Sequence, residues 1–153
     1  MTQQEIAHKL RETITAILPV LKNILDENAS IRPQPIKWSP KEIIGHLVDS
    51  ACNNHQKFIR TMERPHSDFV GYKQDFWVQK QHYSQYTWNE LISFWYNYNL
   101  HLAHVIEHTE PSALSNTISI EGTGPFRLDF IMLDYIEHLK HHLRQILPNS
   151  SIQ

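Results

Sequence analysis

Apolar residues recur every three or four positions in four stretches of the chain, and polar or proline-rich runs separate them. In the first, about residues 2–27, Ile6, Leu10, Ile14, Ile17, Leu21 and Ile24 share one helical face, with Pro19 expected to kink it. The second, about 40–62, carries a stripe of Ile43, Leu47, Ala51 and Phe58, broadened by Ile44 and Val48. Leu91, Trp95, Tyr98, Leu102 and Val105 mark the third, about 88–108. Ile131, Met132, Tyr135, Ile136, Leu139, Leu143 and Ile146 mark the fourth, about 126–146.

The ends of these segments carry their own signals. Thr2 and Glu5, Ser39 and Glu42, and Thr87 and Glu90 each place a hydroxyl three residues before a glutamate, the spacing of a capping box. Pro40 stands at a first helical position, where its missing N–H costs nothing. Gly122, Gly124 and Pro125 break the chain before the last helix. "SIRPQPIKW" reads as an extended linker, and "NTISIEG" as a strand-like edge too short to build a sheet.

The connector over 63–86 is long for a helix–helix link, for which about 2–8 residues is usual. Such a length spans a bundle and lets the second and third helices run parallel. A short helical piece is expected around "QDFWVQKQ". The expected architecture is all-α, a single four-helix-bundle domain over 1–153.

Composition narrows the function. A net charge of −2 without a basic stripe argues against nucleic acid. No apolar run nears the roughly 18–20 residues that span a bilayer, so no membrane role is expected. The polar start, "MTQQEIAHKLRE", does not read as a secretory signal, and the expected location is cytoplasmic. Cys52 stands alone, which removes disulfides and CxxC motifs. Histidine is the anomaly: there are 11, against 14 lysines and arginines together.

Helical phase sorts the histidines. His138 and His142 are four apart on the flank of the fourth stripe, beside Gln145, so both imidazoles can reach one ion. His141 falls with Glu137, Lys140 and Arg144 on the solvent face. In the second helix, His46 sits at the edge of the stripe, one turn from Ser50 and two from Asn53. If these helices are antiparallel, His46 meets the other two at one end of the bundle. Three imidazoles with a position left open suit a catalytic divalent metal. His101, His104 and His108 point away from the third stripe and read as a solvated face.

"KWSPKEIIGHLVDSACNNHQKFIR", "GYKQDFWVQKQHY", "WYNYNLHLAHVIEH" and "LDYIEHLKHHLRQI" together resemble the DinB-like superfamily of metal-dependent enzymes, over about 37–146. The resemblance implies a four-helix bundle running up-down-down-up, with a long crossover between the second and third helices. It implies a divalent metal at His46, His138 and His142, the trio that helical phase also selects. Members include hydrolases and thiol-dependent S-transferases.

The leading expectation is a hydrolase acting on a small-molecule substrate, its ion lowering the pKa of bound water to about 7. The alternatives are a metal-dependent thiol S-transferase, with a thiol cofactor that no residue signals, and a non-enzymatic metal- or ligand-binding bundle. Zinc or nickel is the expected ion. Asn53 is the best-placed group to support the site from behind, with Asp49, Asp134 and Gln145 as others. Ile17, Leu18, Phe94 and Tyr96 exceed one narrow stripe and suggest a homodimer.

Overall fold

The computed structural model describes residues 1–149. Four long helices follow the four periodic stretches: α1 (Gln3–Lys22), α3 (Pro40–Met62), α5 (Trp88–Glu107) and α6 (Leu128–Ile146). Two shorter ones intervene, α2 (Asp26–Ala29) and α4 (Gln74–Lys80), the latter at the expected "QDFWVQKQ". Both α1 and α3 begin with complete capping boxes, Thr2 with Glu5 and Ser39 with Glu42. The third box is half formed. Thr87 Oγ1 accepts from Glu90 N, but the Glu90 carboxylate takes the Thr87 hydroxyl rather than the Thr87 backbone N–H.

One hydrophobic cluster draws on all four long helices, including Leu10 and Ile14, Leu47 and Phe58, Trp95 and Leu102, and Tyr135 and Leu139. On α5 the buried stripe is rotated from the expected one. Ile92, Asn99 and Ile106 are buried where Tyr98 and Val105 are half-exposed. Asn99 is tolerated there because its Oδ1 accepts from Tyr135 Oη at 2.5 Å and its Nδ2 donates to Trp95 O. A polar residue in a core stripe hides that phase from a hydrophobicity pattern.

Three other expectations are corrected. The first helix ends at Lys22 instead of near 27, and α2 follows as a separate turn. "NTISIEG" does build a sheet: β2 (Thr117–Ile120) is the middle strand, parallel to β1 (His66–Phe69) and antiparallel to β3 (Thr123–Arg127). Its partners come from the connector and from the segment containing Phe126, so α6 starts at Leu128. Ile17, offered as a dimer contact, lies in the chain's own core.

Polar ties fix which helix ends meet. Asp26 accepts from Lys41 Nζ at 3.1 Å and from Trp88 N at 2.6 Å, gathering the starts of α3 and α5. Trp88 Nε1 donates to Leu21 O, bringing the end of α1 to the same place. At the far end of α3, Asn116 Nδ2 donates to Thr61 O and Ser67 Oγ to Arg60 O, which seats the sheet there. Arg32 holds the linker on α3 through a two-pronged bond to Glu42.

Candidate metal centre

His46 is the seventh residue of α3, and His138 and His142 lie in the last three turns of α6. The end of α6 meets the start of α3, so the three imidazoles converge. His138 Nε2 is 3.4 Å from His46 Nε2 and 3.1 Å from His142 Nε2, and the three donor atoms all lie within 4.8 Å of one another. Two nitrogens bound at 2.0–2.1 Å to one tetrahedral ion sit about 3.3 Å apart. The observed spacings bracket that figure.

The outer nitrogens support the same orientation. His142 Nδ1 is 3.0 Å from Gln145 Oε1, which can only accept, so Nδ1 carries the proton and Nε2 offers its lone pair inward. His138 Nδ1 faces Ser50 Oγ at 3.4 Å. His46 is fully buried, and its Nδ1 has no hydrogen-bond partner among the described residues. Three converging ring nitrogens, one on a fully buried ring and two on half-buried ones, fit a cation at their centre.

Burial drives the titration. The His46 pKa falls to about 3, chiefly because burial disfavours the imidazolium and secondarily because His142 and His138 stand beside it. His138 falls to about 4 by burial, then through His142, His141 and Lys57. His142 is lowered by burial, against a smaller opposing effect of its bond to Gln145. All three are therefore neutral at pH 7, the protonation state that a metal ligand requires.

Sequence reasoning did not single out Trp38. Its ring centroid lies 4.9 Å from that of His46 and 6.4 Å from that of His142, roofing the trio. The available signal was its place immediately before the Ser39 cap, the position from which an apolar residue staples onto the fourth residue of the helix, here Ile43. Trp38 and Ile43 both line a cavity of about 730 Å³, and so does His142. Ile31, Pro33, Ile36, Pro40 and Ile146 make most of its remaining wall apolar, with Asn28, Lys37, Asp75 and Gln145 as polar groups.

The remaining candidates fall elsewhere. Asn53 Nδ2 donates to Asp49 O in its own helix, and Asn53 lines a second cavity of about 550 Å³ that contains none of the trio. Asp49 is buried, with Oδ1 accepting from Tyr83 Oη at 2.6 Å and Gln81 Nε2 at 2.7 Å, which anchors the connector. Asp134 and His141 are exposed. Lys140, assigned to the solvent face with His141, is only 6 % exposed and directs its ammonium to within 3.6 Å of Glu137.

Residues 9–146 match the family model of the DinB superfamily. The chain belongs to that superfamily. No curated protein matches it. Among solved structures it is similar to YfiT from Bacillus subtilis, described as a probable metal-dependent hydrolase with an unusual four-helix bundle topology. The TM-score is 0.84 at 13 % identity, and the match covers 95 % of this chain and 84 % of that one. At that identity the likeness speaks for the fold. No helix among the described residues is long and apolar enough to cross a membrane.

Proposed function

We propose that this DinB-superfamily chain is a metal-dependent hydrolase whose divalent ion is held by His46, His138 and His142. The observation that carries the reading is the convergence of three neutral, buried imidazoles at 3.1–3.4 Å. A zinc or nickel ion bound there would supply Lewis acidity to an attacking water or to a substrate oxygen. The chain's own residues do the rest. Gln145 and Ser50 orient two of the rings, while Trp38 and burial exclude bulk water from His46. The cavity beside His142 admits the substrate, and its isoleucines, prolines and Trp38 favour a small molecule with an apolar body.

The helix-end contacts support an up-down-down-up bundle, in which 63–86 is the long crossover and α3 and α5 run parallel. That arrangement puts the start of α3 against the end of α6, as the site requires. YfiT's description as a probable hydrolase supports water rather than a thiolate as the nucleophile.

The experiment is elemental analysis of protein purified without a histidine tag, followed by turnover of short- and long-chain aryl esters and amides. One equivalent of zinc or nickel, with hydrolysis lost on chelation and restored by the ion, is the expected result. A bound ion without hydrolysis, but with transfer to an added thiol, would move the assignment to S-transferase.

A further inference from the structure

We propose a second divalent-metal site on the outside of the bundle, formed by His104 and Glu107 in the last turn of α5 and by His108, which caps it. Their donor atoms all lie within 4.8 Å of one another, and the two imidazole centroids are 4.2 Å apart. A pair four residues apart on a helix stacks on one face, so a single ion can reach both rings without any rearrangement of the backbone.

A second feature of these residues points to a ligand independently of that spacing. His108 Nδ1 lies 2.8 Å from His104 O. A carbonyl only accepts, so Nδ1 carries the proton and the Nε2 lone pair is directed outward. Ligating histidines are commonly held this way, by a backbone carbonyl at the opposite nitrogen.

Electrostatics favours a cation at this position. α5 ends at Glu107, so its last carbonyls present the negative end of the helix dipole. Glu107 adds a carboxylate, negatively charged at neutral pH as an ordinary glutamate is. Arg11 Nη2 donates to Glu107 Oε2 at 2.7 Å, tying α1 to this turn while the two rings remain exposed. Two imidazoles and one carboxylate select borderline ions, Zn²⁺, Ni²⁺ or Cu²⁺, over Mg²⁺ and Ca²⁺, which prefer all-oxygen sites. The ligands come from one helix and face water, so this site binds more weakly than the buried trio and exchanges faster.

The test is calorimetric titration of the chelator-treated, tag-free full chain with ZnCl₂ alone. The expected isotherm has two classes of site. Replacing His104 and His108 together with alanine should remove one equivalent, the weaker, and leave the tighter one. Replacing His46 and His138 should remove the tighter one and leave the weaker. Cu²⁺ bound to the second variant should show nitrogen hyperfine splitting that disappears when His104 and His108 are also replaced. Both α5 histidines are solvent-facing, so their loss leaves the core intact. An unchanged stoichiometry in the His104/His108 variant, or a Cu²⁺ spectrum indifferent to those residues, overturns the proposal.

Discussion

Tyr83 lies directly on the backbone of Gly45: a β-carbon built on that glycine would fall 2.2 Å from Tyr83 Cδ2. The connector thus presses an aromatic ring onto α3 one residue before His46, and only a residue without a side chain leaves room. Gly45→Ala should therefore push Tyr83 out. The expected cost is about 1–3 kcal/mol of stability, the usual penalty for overpacking. Urea denaturation of the metal-free protein measures it. An unchanged midpoint would mean that the ring yields freely.

Asp49 is the other half of that anchor, and burial raises its pKa against the opposing bonds from Tyr83 and Gln81. One carboxylate oxygen has both donors, while Oδ2 has no hydrogen-bond partner among the described residues. Asp49→Asn keeps an acceptor and removes the buried charge, so it should match or exceed the parent in stability at pH 8. Asp49→Ala orphans the Tyr83 hydroxyl and should cost about 1–3 kcal/mol. The same denaturation series compares the two. Equal destabilisation by both substitutions would show that the charge itself is needed.

The three depressed histidines set an acid limit. In the unfolded chain each titrates near 6.5, whereas in the fold His46 and His138 titrate near 3 and 4. Between those values the unfolded state binds more protons, so stability rises with pH in that window. The contribution is complete above about pH 6.5 and is lost as pH falls through 4 toward 3. Metal-free protein should show a urea midpoint that declines steadily over this range. Replacing His46 with glutamine should flatten the decline.

Much of this was legible in the sequence. Three cap signals and four stripes located the long helices, because capping and burial are local or periodic. His138 and His142 separated from His141 by helical angle alone. What escaped depended on partners distant in the chain. β2 becomes the middle of a sheet because residues 66–69 run beside it as well as β3, and Trp38 reaches His142 because the last turns of α6 arrive next to it. Lys140 looked solvent-facing by angle, yet its long stem is covered while its charge reaches Glu137. Angle says where a side chain leaves the helix, not how far its neighbours extend.

Gln145 distinguishes the two adjacent histidines of α6. Its Oε1 accepts from His142 Nδ1 at 3.0 Å, while its amide nitrogen lies 3.4 Å from His141 Nε2. His142 is half-buried and aims Nε2 at the trio, whereas His141 is exposed and joins it only by ring contact with His142. Replacing His46, His138 or His142 with alanine should each abolish tight binding at this centre, since two ligands remain of three. His141→Ala should leave the affinity nearly unchanged. Gln145→Ala should fall between, weakening binding about tenfold, the lower end of what loss of an orienting partner costs, because Gln145 is itself exposed. Zinc titrations of the five variants, each carrying His104→Ala and His108→Ala to silence the outer histidines, give the order. Loss of metal from His141→Ala with retention in His142→Ala would reverse the assignment of the α6 ligand.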